Sequence, residues 1–215
     1  MSTEYPKIET LYDRDETFKV TPPRLRLVEF GIPRVWHVTE KVDGTNIRLS
    51  IAPDGTVTYG GKTDNAQIPS KLVAYLLATV PAEKVLAAFP ERDGAPVVVY
   101  GEGYGAGIQK GGIYRRDMAL RIFDVRVGGW WLEPANVADV AEKLGVRTVP
   151  PLGVITELPR SKQHLLGILL GGNTRIIEGG SDGPAEGIVA RTVPLLLTRR
   201  GERLMWKLKL RDFAE

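Results

Sequence analysis

The stretch "TEKVDGTNIRLSI" (residues 39–51) sets a lysine two residues ahead of an Asp-Gly pair, between two runs with the composition of β-strands. Asp-Gly is a favoured two-residue hairpin turn because both positions accept positive φ. The chain carries its own controls, since Asp54-Gly55, Asp93-Gly94 and Asp182-Gly183 are Asp-Gly pairs as well. A turn alone therefore does not single out Lys41. The rest of the sequence has to.

Outward from this stretch, short strand-like runs dominate. "RVWHVTEKV" (34–42), "TNIRLSI" (45–51), "TVTYG" (56–60), "VVVYGE" (97–102), "LRIFDVRV" (120–127), "WWL" (130–132), "GIVAR" (187–191) and "LMWKLKL" (204–210) are punctuated by Gly, Pro and Asp. Three segments read as helices. "PSKLVAYLLATV" (69–80) repeats Leu72, Val73, Leu76, Leu77 and Val80 at helical spacing. "PANVADVAEKLG" (134–145) starts on Pro134 and stops on Gly145, and "SKQHLLGILLGG" (161–172) opens on a Ser161 cap. Tight turns join strands more often than helices do, which predicts an α+β chain built on antiparallel sheets flanked by helices. With no repeat or long linker, residues 1–215 are expected to form one domain.

Composition narrows the chemistry. The 215 residues are 43% apolar and 26% charged, in the range of globular proteins. The longest apolar runs, such as "LLGILL" (165–170), are too short to span a membrane, and no secretory signal opens the chain. There is no cysteine, which removes disulfides, thiolate nucleophiles and Cys-ligated zinc and agrees with a cytoplasmic setting. His37 and His164 are the only histidines, too few for a His-rich metal site or a relay triad. A net charge of +3 permits a polyanionic partner without demanding one.

Two phosphate motifs nearly fit. "GEGYGA" (101–106) matches a dinucleotide fingerprint, yet "GIQKGGIYRR" after it is a poor helix to receive a pyrophosphate. "GTVTYGGKT" (55–63) has one residue too many for a Walker loop. A different constellation is fuller. In "LMWKLKLRD", Lys207 and Lys209 share one strand face and Trp206, Leu208 and Leu210 the other. A lysine with the ordinary pKa near 10.4 is neutral about once in several thousand at pH 7, and burial or neighbouring cations make such an amine nucleophilic.

Along the chain come "EKVDGTN" (40–46), "GGKT" (60–63), "YGEGYG" (100–105), "RIFDV" (121–125), "AEGIVAR" (185–191) and "MWKLKL" (205–210). This ordered series resembles the covalent nucleotidyltransferases, the nucleic-acid ligases and messenger-RNA capping enzymes. "TEKVDGTN", the opening "YPKIETLYDRDETF" and "GEGYGAGIQKGG" look most like phage-type, nick-sealing RNA ligases, with a resemblance running from about Tyr5 to Arg211. It implies an ATP-grasp-like ligase domain with a nucleotide cleft, ATP as the AMP donor and Mg2+ or Mn2+ as the metal.

The resemblance also implies roles. Lys41 would be the nucleophile, flanked by Glu40 and Asn46 near the nucleotide. Lys62 stands where the family places a basic residue, often arginine, beside the AMP phosphate. Glu102 would accept a ribose hydroxyl, and Phe123 would stack on adenine from the face it shares with Arg121 and Val125. Glu186 would hold the divalent ion, Lys207 and Lys209 would neutralise phosphate charge, and Lys110 is a candidate RNA-backbone contact. The implied substrate is RNA with 5′-phosphate and 3′-hydroxyl ends, as a nicked duplex, handled by a monomer. Only Asp212 to Glu215 follow the last lysine strand, so no appended OB or C-terminal domain is expected and a partner protein is left to supply grip on the RNA. Two other readings remain open: a minimal DNA ligase or capping-type guanylyltransferase, and a non-catalytic RNA-binding module.

Overall fold

The computed structural model describes residues 3–181 and 183–214. In chain order the strands are β1 (Glu9–Thr10), β2 (Tyr12–Arg14), β3 (Val20–Leu25), β4 (Trp36–Lys41), β5 (Thr45–Ile51) and β6 (Val57–Gly60). Helices α1 (Ser70–Thr79) and α2 (Ala82–Ala87) precede β7 (Val97–Tyr104), β8 (Ala119–Val127) and β9 (Trp130–Trp131). Helix α3 (Pro134–Lys143), β10 (Arg147–Thr148), β11 (Pro151–Ile155), α4 (Lys162–Ile168), β12 (Gly187–Arg191) and β13 (Met205–Lys209) complete the set. The α+β class and the predominance of antiparallel pairing agree with the sequence; β1–β13 and β8–β10 are parallel.

The chain packs as two compact units. The first comprises residues 3–6, Asp43–Val149 and Glu178–Ser181; the second comprises Lys7–Val42, Pro150–Ile177 and residues 183–214. Neither is continuous in sequence.

The first unit is built on a sheet of order β10-β8-β7-β5-β6, with β9 paired to β8. Ile47, Leu49 and Ile51 alternate along β5, and all are buried against Leu72, Leu76 and Val80 of the α1 segment and Val137, Val140 and Ala141 of α3. The helix stripe is narrower than the spacing implied, since Leu77 is 54% exposed. Gly145 ends the α3 segment with φ +65°, the left-handed stop expected of it. A register shift falls between Tyr100/Gly101 of β7 and their partners Asp124 and Ile122 on β8, so Phe123 is the extra residue of a β-bulge. The bulge switches the alternation: Leu120, Ile122 and Val125 all face the core, and Val125 does not share a face with Arg121. Simple period-two counting placed them together; the added residue separates them.

The second unit is built on a sheet of order β1-β13-β12-β4-β11, with β2 and β3 as a separate pair. Trp206 and Leu208 are fully buried and lie in one core with Trp36, Val38, Ile188 and Ala190. The Trp36 and Trp206 rings meet edge to face at 5.5 Å, and truncating either to alanine would cost about 3–5 kcal/mol. Ser161 caps α4 by accepting the His164 N–H at 3.1 Å, the cap read from the sequence. Among the described residues no helix is long and apolar enough to cross a membrane.

Candidate active site

Asp43-Gly44 is not a hairpin turn, because β4 and β5 lie in different sheets. Gly55 and Gly94 have φ of +90° and +71°, the backbone that Asp-Gly turns require, whereas Gly44 has no such angle. Asp182 lies outside the described residues. What Gly44 provides is space: a Cβ there would sit 2.3 Å from the Gly103 carbonyl oxygen. Its N–H donates to Glu102 Oε1 at 3.2 Å, and the Asp43 N–H donates to the buried Tyr114 hydroxyl at 3.0 Å. The motif after Lys41 is therefore a close-packed passage onto β5, fixed by backbone donors.

In the second unit, cross-strand register explains the lysines. Gly187 of β12 faces Lys41 of β4 on one side and Lys209 of β13 on the other. Register partners project from the same face, so the two lysines flank a position with no side chain. Over that gap both ammonium groups reach one carboxylate: Lys41 Nζ lies 2.6 Å from Glu186 Oε2, and Lys209 Nζ pairs with Glu186 Oε1. Arg211 adds a more distant guanidinium at 3.9 Å. Burial works to raise the Glu186 carboxyl, but the Lys41 charge and hydrogen bonds from Lys209 and Lys41 outweigh it and hold the group below the ordinary glutamate value. The sequence led one to expect cations about Lys41; its immediate neighbour is an anion that it shares with a second lysine.

Lys207 lies on the same face, in the row of Thr39 and Val189 and so two residues along from Lys209. The Glu9 carboxyl is held down first by a hydrogen bond from Lys7, with Lys207 among the charges that add to it. Glu40 takes the opposite face. It is 1% exposed, accepts from the Thr174 hydroxyl and the Arg175 N–H, and ties the 174–175 segment to β4. Alternation along β4 dictates this, since adjacent residues of a strand point to opposite sides.

In the first unit, Asn46 faces Glu102 across β5–β7, and Glu102 faces Arg121 across β7–β8. Asn46 Oδ1 is buried without a hydrogen-bond partner, an acceptor left open to a ligand donor. Phe123 on the bulge meets Tyr5 edge to face at 5.0 Å, and the Tyr5 hydroxyl donates to Asp124. Lys62 and Lys110 are exposed in loops. The Lys62 loop is held at both ends by the buried Arg48, which donates to the Gly61 carbonyl at 2.7 Å and pairs with Asp64 at 2.9 Å.

One cluster escaped sequence reasoning. Glu178 accepts from Tyr104 at 2.8 Å and Arg121 at 2.8 Å, with Arg147 at 3.4 Å and Arg115 at 3.5 Å. Burial chiefly pushes the Tyr104 phenol up to about 12. Burial also works to raise Glu178, but the Tyr104 hydrogen bond and the Arg121 charge bring it below its usual range. Its members come from five segments, and of them only Arg121 was named from the sequence, as a strand-face neighbour of Phe123. The two rejected phosphate motifs stay rejected: no α-helix follows Gly101–Ala106, and strand β6 runs through the would-be Walker loop.

One lysine on β4 and a second on β13 thus share a single carboxylate within one sheet. Residues 34–209 match the family model described as RNA ligase, and the chain belongs to that family. No curated protein matches the sequence. Solved structures of Naegleria gruberi RNA ligase mutants share the fold. One with AMP and Mn aligns at TM-score 0.61 and 15% identity, over 95% of this chain and 61% of that one. Another, with ATP and Mn, aligns at 0.62 and 16%, over 98% and 64%. The chain thus spans under two thirds of the length of these relatives.

Proposed function

We propose that this chain is an ATP-dependent RNA ligase that works through a lysyl-AMP intermediate on Lys41, its two units acting as one nucleotidyltransferase domain. The observation that carries the reading is the convergence of Lys41 and Lys209 on Glu186 over Gly187. Family membership and the likeness to ATP- and AMP-bound RNA ligases support it.

In the first step Lys41, having lost a proton, attacks the α-phosphorus of ATP. The Nζ–P bond forms as the bond to the bridging oxygen of the β-phosphate breaks, pyrophosphate leaves with the electron pair, and a second Nζ proton passes to water. Lys209, with Lys207 further along the face, stabilises the charge that gathers on the phosphate oxygens. The phosphate takes over from Glu186 as the anion the lysines hold. An RNA 5′-phosphate oxygen then displaces Lys41, whose nitrogen takes up a proton from water as the N–P bond breaks, to form a 5′–5′ pyrophosphate. A 3′-hydroxyl oxygen displaces AMP, losing its proton as the phosphodiester forms. Asn46 and Glu102 hold the ribose, Phe123 the adenine, and Lys62 a phosphate oxygen. The Glu40 carboxylate serves as a strut for the strand that carries Lys41.

For the metal, the donor set is one hard carboxylate. Among the described residues no group of three or more His, Asp or Glu side chains is arranged to hold an ion, so Glu186 fits the form in which magnesium is held by one protein carboxylate plus phosphate oxygens and water. When bound, Mg2+ or Mn2+ neutralises charge on the reacting phosphate. The substrate in this reading is a nicked RNA duplex, in the cytoplasm. The test is incubation with ATP labelled in the α-phosphate, followed by peptide mapping. Label on Lys41 is expected; label on Lys62, Lys207 or Lys209, or none, overturns the assignment.

A further inference from the structure

Asn46, Glu102, Arg121 and Arg147 form a single transverse row across β5, β7, β8 and β10, each facing the next in register. The proposed function uses the Asn46–Glu102 end for the sugar of AMP. The other end reaches the sheet edge at β10 and is unassigned.

Three guanidiniums meet Glu178 there, and they are not equivalent. Arg121 is 8% exposed and fully engaged, donating to Tyr104 at 3.0 Å, the Thr148 carbonyl at 2.6 Å and Glu178 at 2.8 Å. Arg115 and Arg147 reach Glu178 only at 3.5 and 3.4 Å, beyond a good charge-assisted hydrogen bond. The Arg147 side chain is 75% exposed, and Arg115 Nε is buried without a partner. Three guanidiniums against one carboxylate leave a surplus of two positive charges. A surplus cation with donors unspent is a site for an anion, and the planar guanidinium fork suits phosphate. At about 4.8 Å per strand, Arg147 stands roughly 10 Å from Glu102, far enough to meet a phosphate other than that of AMP.

We propose that Arg115 and Arg147 form a phosphate-binding site for the RNA strand, with Arg121 and Glu178 as its fixed base. The RNA identity of the ligand rests on the ligase reading above; the anion site stands on its own geometry. The experiment measures binding of a fluorescent nicked RNA duplex to the full chain from about 50 to 200 mM salt, beside AMP labelling by ATP, for Arg147→Gln and for Arg115→Gln with Arg147→Gln. Affinity is expected to fall about tenfold for each lost contact, the scale of one charge-assisted hydrogen bond. The slope of log affinity against log salt should shrink by about 0.7–0.9 per contact, with AMP labelling at the parent rate. Arg147 is exposed, so its variant remains decisive even if the double variant unfolds.

Unchanged affinity and slope in the folded Arg147→Gln variant would overturn the site, and so would a parent protein that does not bind RNA. A parent that takes no AMP, with variants that still lose RNA affinity, would sink the ligase reading and leave the site standing. Duplexes with a 5′-phosphate or a 5′-hydroxyl at the nick separate the source. A loss confined to the former assigns the terminal phosphate, and a loss with both assigns an internal phosphodiester.

Discussion

Replacing Glu186 with glutamine keeps the side chain's shape and removes the one anion that two lysines share. The Glu186, Lys41 and Lys209 side chains are 7%, 22% and 15% exposed. Removing one partner of a buried pair costs about 3–5 kcal/mol. The lysine heads here keep some water and glutamine still accepts one hydrogen bond, so about 2–3 kcal/mol is expected. For a chain of this size that is a fall in melting temperature of roughly 4–12 °C near pH 7. The pH dependence follows from the direction of the shift. Glu186 titrates lower in the folded chain than its ordinary 4.5, so its contribution is fully present above that value and is lost as pH falls below it through the folded pKa. The gap between parent and Glu186→Gln should therefore be constant from pH 8 to about 5 and close on further acidification. Pyrophosphate should rescue the variant more than the parent, because it supplies the missing anion. Thermal unfolding of both proteins across pH, with and without pyrophosphate, measures all of this. A gap of zero at neutral pH, or one that persists unchanged to pH 3, would refute the shared-anion account.

Three further outcomes are expected. Gly44→Ala should destabilise the chain by about 1–3 kcal/mol through overpacking on Gly103, whereas Gly94→Ala, with open space around it, should lose only about 1 kcal/mol from its left-handed backbone; denaturant midpoints compare them. Asn46→Ala should slow AMP labelling while leaving the melting temperature nearly unchanged, because its buried Oδ1 makes no hydrogen bond that the variant would lose. Tyr104, pushed up to about 12, contributes stability that is complete below pH 10 and is lost as pH rises through its folded value; ultraviolet titration should show a late phenol that Tyr104→Phe removes.

Much of this architecture was readable because its cause is local. Strands at 45–51 and 187–191 match the sequence bounds to the residue, and the Trp206/Leu208 against Lys207/Lys209 alternation is a period-two pattern that burial enforces. What escaped depends on partners remote in sequence. β1 and β10 are two-residue strands that exist through pairing with β13 and β8, and β3 carries Pro22-Pro23, a pair that argues against a strand in any local reading. The site divides the same way. Lys41, Lys209 and Glu186 were each singled out from their own segments, yet the shared carboxylate over Gly187 is a register effect that no single segment encodes. Phe123 lies outside both core clusters, but the face it was expected to share with Arg121 and Val125 is divided by the bulge. The Glu178 cluster draws on five segments, none unusual by itself.

The interleaving of the two units bears on how the protein is made. Lys41 leaves the ribosome first, and Glu186 and Lys209 follow it by 145 and 168 positions in the sequence. At synthesis rates of about 5–20 residues per second, the lysine waits on the order of ten to thirty seconds for the groups that surround it. Strand β1 waits still longer for β13. The first unit has most of its sheet in hand by Val149 and can pack while the ribosome is still working. The sheet that carries Lys41 gains its Lys209 strand only when β13 arrives, so the shared carboxylate is withheld from every nascent chain that has not reached it.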